Sequence, residues 1–251
     1  MDFIKRTWAE IDLDALEYNM KSIKSKMAPK HKVMGIVNVT PDSFSDGGKY
    51  FTPEEAVRRV KNLIADGADI IDIGAESTKP GATPLSWEEE WSRLEPVLTL
   101  LKGTVPVGGT GNGERGMGTV PISIDTYHPE TAERAVALGA KIINCVYEGT
   151  VPDMLAICAK NNVEIVIPTK FSGSVPADVP FYLDPMIGFG TTRDEDLELL
   201  RSIPELSKRG RVLVGASRKR IVKKLFHNVA LTVSTAKVVI CAPNINKLTN
   251  T

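Results

Sequence analysis

A run of short apolar segments in this chain ends, time after time, on a side chain able to bind a polar ligand. Val33–Val37 runs into Asn38, with Asp46 a few residues on. Ile70–Ile73 leads to Glu76, Thr78 and Lys79, and Ile122–Ile124 to Asp125. Lys141–Ile143 is followed by Asn144, Pro180–Leu183 by Asp184, and Arg211–Val214 by Ser217 and Lys219. Asp125, Asn144 and Asp184 supply acceptors and an amide donor, which suit a flat heterocycle bearing N–H and C=O groups. Lys79 and Lys219 suit an anion or a ring carbonyl. Asn38 and the neighbouring hydroxyls suit a phosphate–Mg2+ unit, since Mg2+ keeps waters and accepts neutral oxygen ligands. A single strand-end Asp or Asn more often caps a helix or closes a turn. Several at the same end of successive strands point to a site.

The elements that must position these side chains alternate. Thr52-Pro53-Glu54-Glu55, Ser86-Trp87-Glu88-Glu89 and Thr192-Arg193-Asp194-Glu195 each have the capping-box pattern that opens a helix. Apolar residues at helical spacing follow, and the next β-branched run comes after that. Alternation of this kind predicts a parallel sheet with helical crossovers. About eight such runs in 251 residues favour a (β/α)8 barrel, in which all strand ends surround one mouth. Two places break the pattern. Residues 168–179 lack a helical period, so the crossover after strand 5 is expected to be irregular, and too little chain follows Lys237–Cys241 for a full final helix. Both gaps predict barrel faces left uncovered. The glycine-rich stretch 103–119 follows a helix and precedes a strand, the reverse of a dinucleotide-binding loop, and is expected to be a connector. Residues 1–32 form a helical extension ahead of the barrel at 33–251.

Acidic and basic residues balance at 31 each, which argues against nucleic acid or an anionic membrane as partner. No apolar run approaches the roughly 20 residues of a membrane span, and the start lacks a signal-peptide core. Cys145, Cys158 and Cys241 are odd in number, sit among apolar neighbours and lack CxxC spacing. Buried, reduced thiols in a cytoplasmic protein are expected. His31, His128 and His227 fall before a strand or at helix ends and are read as capping or surface residues.

The segments MGIVNVTPDSFSDGGKYF, DIIDIGAESTKPGA, PISIDTYHPETAERAVALGAKIIN, LDPMIGFGTTRDEDLELL and VLVGASRKRIV lie in order over most of residues 33–222. In them the chain resembles dihydropteroate synthase, a pterin-binding (β/α)8 family of folate biosynthesis. The resemblance implies a transferase that joins 6-hydroxymethyl-7,8-dihydropterin pyrophosphate to 4-aminobenzoate. It implies that Asp125, Asn144, Asp184 and Lys219 hold the pterin, and that Asn38 binds the Mg2+–pyrophosphate group. Phe44 and Asp46 would close over the site with Thr78 and Lys79, and Phe189 and Ser217 would flank the aminobenzoate. A homodimer is the family's tendency.

The chain also departs from the family. Lys79 stands for the usual arginine, Cys145 for an aspartate, Met186 for a glycine, Thr191 for a common lysine and Arg220 for a frequent serine. The last apolar run has no Arg-x-His to grip pyrophosphate. Pterin binding with weakened synthesis is therefore expected. The alternatives are a non-catalytic pterin-binding protein and a pterin-dependent methyltransferase. The opening TWAEIDLDALEYN resembles alanine racemases, but Asn38 occupies the strand end where that family needs a lysine for its pyridoxal cofactor.

Overall fold

The computed structural model describes residues 32–40, 52–76, 83–104, 120–215 and 238–242. Within them eight strands close a barrel in sequence order. They are β1 Lys32–Asn38, β2 Ile70–Gly74, β3 Ile122–Asp125, β4 Ile142–Asn144, β5 Glu164–Pro168, β6 Phe181–Asp184, β7 Arg211–Val214 and β8 Val238–Ala242. Five α-helices accompany them among the described residues: α1 Pro53–Ala65, α2 Trp87–Thr104, α3 Pro129–Ala137, α4 Val151–Asn161 and α5 Arg193–Arg209. No described helix is long and apolar enough to cross a membrane.

The helix starts follow the caps. Thr52 Oγ1 accepts from Glu55 N while Glu55 accepts from Thr52 N, and Ser86 with Glu89 and Thr192 with Glu195 repeat the exchange. Each box satisfies two of the N–H groups that a helix start leaves without partners. The helices then bury one face against the sheet. Ala56, Val57, Val60 and Leu63 of α1 join Leu94, Val97, Leu98 and Leu101 of α2 in a shell that includes the outward residues Ile71, Ile73, Ile122 and Ile124. Burying each such large side chain stabilises the fold by roughly 1.5–3 kcal/mol. Gly35 lets α1 approach β1, because a Cβ there would lie 3.1 Å from Leu63 Cδ1.

The barrel interior is packed separately. Met34, Ile36, Ile70, Ile142, Val166, Tyr182 and Leu213 fill its lower part. At the floor, Arg211 Nη1 donates to both oxygens of Glu164 at 3.1 Å and to Tyr182 Oη at 3.0 Å.

The crossover from β5 to β6 has no helix, as its sequence indicates. The expected uncovered face is not seen there. Phe171 and Val175 pack against the outer shell and Val179 is buried in it, so three side chains of a turn-rich segment do a helix's covering.

The last strand differs from the all-parallel expectation. β1 to β7 are parallel, but β8 runs antiparallel to both β7 and β1, with Val214 opposite Ile240 and Gly35 opposite Val238. The chain leaves β7 at the mouth and enters β8 at the mouth, so closure needs no crossover to carry it back to the floor. Of the expected extension over residues 1–32 only Lys32 is described, as the first residue of β1, and of the expected connector 103–119 only residues 103 and 104, which end α2; the rest of both, and the short helix after β7, lie outside the described residues.

Candidate active site

Side chains alternate between the barrel interior and the helical shell along each strand. The register therefore decides which polar residues meet. Asn38, Gly74, Asp125 and Asn144 are successive partners across β1, β2, β3 and β4. They share the interior parity of Met34, Ile70 and Ile142. Asn38, Asp125, Asn144 and Asp184 are each the final residue of their strand, on β1, β3, β4 and β6. The structure thus brings four of the sequence candidates to one mouth.

Their surroundings are specific. Gly74 has no side chain where one would collide: a Cβ there would sit 3.2 Å from Asp125 Cβ and 3.3 Å from its Oδ2. Asn144 is buried and donates from Nδ2 to Asp72 Oδ2 at 3.1 Å. Asn144 Oδ1 and Ser123 Oγ are buried with no hydrogen-bond partner among the described residues. A buried amide oxygen left in this state costs about 1–3 kcal/mol unless something donates to it. An N–H on a bound ligand would do so. Asp184, also buried, accepts at Oδ1 from Met186 N at 2.7 Å, and Met186 takes a left-handed φ of 60° to make the turn.

Phe189, 38 % exposed, sits on the loop between β6 and α5. That loop is tied down by Asp196, which accepts from Gly188 N at 2.7 Å and from Thr191 Oγ1 at 2.5 Å. Phe44, Asp46, Thr78, Lys79, Ser217 and Lys219 lie outside the described residues.

Asp72 was missed in the sequence. It is 2 % exposed at the centre of β2 and opposite Ser123, beneath the mouth residues. Its signal was present: one carboxylate inside the otherwise apolar run Ile70–Gly74, at the parity of Ile70.

A second polar group flanks the mouth. Glu90 of α2, also buried, accepts at Oε2 from Thr126 Oγ1 at 2.7 Å and lies 3.1 Å from His128 Nδ1. Tyr127 Oη donates to Glu76 at 2.9 and 3.1 Å. Burial, the hydrogen bond to Glu76 and the charges of Glu76 and Glu90 push the Tyr127 hydroxyl up to about 12, so it remains a donor. His128 does occupy the N-cap position of α3, but its side chain makes no cap bond. It turns to Glu90 instead, because a buried carboxylate attracts an N–H donor more strongly than an exposed helix end does. Cys145 and Cys158 are buried, as expected of small apolar residues. Burial raises both thiols, Cys158 to about 12.

With this geometry in view, the chain matches the family model described as pterin binding enzyme over residues 34–177 and 172–244. It is 36 % identical over 221 residues to a dihydropteroate synthase of Staphylococcus haemolyticus, covering 78 % of each chain. It is 38 % identical over 236 residues to that of Bacillus subtilis, covering 84 % of this chain and 75 % of the relative. Among solved structures, the Xanthomonas albilineans dihydropteroate synthase with 4-aminobenzoic acid superposes with a TM-score of 0.63 at 35 % identity, covering 78 % of this chain and 76 % of that one. The Anaplasma phagocytophilum enzyme with bound 6-hydroxymethylpterin-monophosphate gives 0.63 at 33 % identity, covering 81 % and 85 %.

Proposed function

The chain belongs to the pterin-binding enzymes, within the dihydropteroate synthases, and on that premise we propose that it condenses 6-hydroxymethyl-7,8-dihydropterin pyrophosphate with 4-aminobenzoate. The observation that carries this reading is the buried pair Asp72 and Ser123 beneath a mouth ring of Asp125, Asn144 and Asp184, with Asn144 bonded down to Asp72. It offers carboxylate acceptors and an unpartnered amide oxygen to a flat ring rich in N–H groups.

In the reaction the bond from the pterin methylene to the pyrophosphate oxygen breaks, the electron-rich ring stabilises the resulting cation, and the aminobenzoate nitrogen bonds to the methylene and loses a proton. Asp125, Asn144 and Asp184, with Lys219, hold the ring and fix the methylene toward the mouth. Asp46 stabilises the developing positive charge, and Phe44, Thr78 and Lys79 close over the reacting groups. Phe189 and Ser217 border the aminobenzoate. Holding both reactants in line supplies much of the rate, since orientation alone can be worth roughly 7–11 kcal/mol.

A divalent ion fits the donor set. Asn38, half-buried at the end of β1, offers a neutral oxygen, and substrate phosphates with water complete the oxygen shell that Mg2+ prefers. When bound, Mg2+ would stabilise charge on the departing pyrophosphate. We infer that it acts on small molecules in the cytoplasm, as a homodimer in keeping with its family's tendency.

The antiparallel β8 favours a second reading. In this barrel the strand's carboxyl end, where the family's Arg-x-His is sought, lies at the floor. A protein that binds pterin without turning it over would follow if no other cation replaces that grip. Release of pyrophosphate from pterin pyrophosphate, with and without 4-aminobenzoate, tests both. Release that depends on aminobenzoate supports synthesis. Pterin binding without release supports the second reading, and neither binding nor release sinks both.

A further inference from the structure

We propose that Glu76, Glu90 and His128 form a binding site for a divalent transition metal of the Zn2+ or Mn2+ class, beside the mouth and separate from the Asn38 position. Among the described residues these three offer ligand atoms that all lie within 4.8 Å of one another. Ligands of a tetrahedral ion stand roughly 3.3–3.6 Å apart at ordinary bond lengths, so the wider spacings must close by roughly an ångström as the ion binds. The 3.1 Å between His128 Nδ1 and Glu90 Oε2 already matches adjacent ligands.

The independent sign of a missing cation is on Glu90. Its side chain is 1 % exposed and its Oε1 is buried without a hydrogen-bond partner among the described residues. A buried carboxylate oxygen in that state is costly unless positive charge lies against it. Among the described residues no lysine or arginine forms an ion pair with Glu90 or Glu76, whose one basic neighbour in such a pair is His128 itself; Arg93 donates to Ala75 O at 3.0 Å.

The carboxylates are also pre-oriented. Thr126 holds Glu90 and Tyr127 holds Glu76, which is the pattern of outer partners that fixes ligands in metal sites. One imidazole with two carboxylates favours Zn2+, Mn2+, Fe2+ or Co2+ over Mg2+, which avoids nitrogen. The bound ion would join the end of β2, the tip of β3 and the first turn of α2, fixing the base from which residues 77–82 depart.

The test is calorimetric titration of the chelator-stripped full chain with Zn2+, Mn2+ and Mg2+ separately, alongside H128A and E90Q. One equivalent of Zn2+ is expected to bind, Mg2+ far more weakly, with H128A weakening Zn2+ by at least about a hundredfold, since losing a ligand costs no less than losing an outer partner. Substitution with Co2+ is expected to show ligand-field bands without sulfur-to-cobalt charge transfer, which separates the site from the cysteines. H128A, altering a partly exposed side chain, carries the result if E90Q does not fold. Absence of saturable Zn2+ binding, Zn2+ affinity equal in H128A and the parent, or a sulfur charge-transfer band would overturn the proposal. The readout is metal binding, so the outcome does not depend on synthase activity.

Discussion

Asn144 at the end of β4 reaches across the interior of the barrel, past β3, to donate to Asp72 of β2 at 3.1 Å. The bond fixes the amide so that its oxygen stays free for a ligand. Asn144→Ala removes the donor and leaves the Asp72 carboxylate short of a partner. A hydrogen bond to a charged group is worth about 1.5–3 kcal/mol, so urea unfolding should show a loss of about 2 kcal/mol. Pterin affinity measured by calorimetry should fall at least tenfold. An unchanged affinity would remove Asn144 from the ligand site.

Gly74→Ala tests the site without touching a polar group. The added Cβ would press on Asp125 Cβ at 3.2 Å, and Asp125 must move by a few tenths of an ångström. Small misplacements in a site are costly, and a roughly tenfold rise in KM for the pterin substrate is expected with the circular dichroism spectrum preserved. Parent-like kinetics would show that Asp125 is not held by this contact.

Met186 bears a left-handed φ of 60° that a residue with a side chain occupies at a cost of about 1–2 kcal/mol. Glycine removes that cost but adds unfolded-chain entropy of about 0.4–1 kcal/mol. Met186→Gly should therefore raise stability slightly, by about 0.5 kcal/mol. Its backbone N–H still donates to Asp184, so the melting temperature should rise while pterin affinity holds.

The two buried thiols set an alkaline limit. Both folded pKa values are raised, Cys158 to about 12, whereas an unfolded cysteine titrates near 8.5. Their contribution to stability is thus fully present below about pH 8.5 and is lost as pH climbs toward the folded values. Iodoacetamide at pH 8 should leave Cys145 and Cys158 unlabelled in native protein and label both in urea, as read by peptide mass spectrometry. Rapid native labelling of Cys158 would contradict its burial.

The floor of the barrel should matter to stability and not to binding. Arg211 stacks 3.9 Å over the Tyr182 ring and holds Glu164. Arg211 and Glu164 are each about one-third exposed, so screening reduces the pair's value. Arg211→Met should cost about 1–2 kcal/mol in denaturant unfolding. Pterin affinity should stay within error, and a large loss of it would mean that floor and mouth are coupled.

Much of this arrangement was legible in the sequence because it rests on local rules. Thr52, Ser86 and Thr192 announce their helices through residues three positions away. Asn38, Asp125, Asn144 and Asp184 mark strand ends because turn-forming or further polar residues follow each of them within a few positions and the apolar run does not resume. What stayed hidden depends on distant pairing. Asp72 acquires its role only when β4 brings Asn144 across from it, and His128 looks like a cap until α2 sets Glu90 against it. The direction of β8 was equally hidden, since Val238–Ala242 is an apolar run that reads the same in either direction. The irregular β5–β6 segment was visible as a missing helix, but Phe171 and Val175 as its substitute were not.

The reversal of β8 has a practical side. In a wholly parallel barrel the polypeptide leaves its last strand at the mouth. Here it leaves at the floor, near the end where Arg211 meets Glu164. A tether attached at Ala242 would therefore hold the barrel by its floor, and immobilising the protein through that attachment should leave small molecules an approach to the strand ends that carry Asn38, Asp125, Asn144 and Asp184.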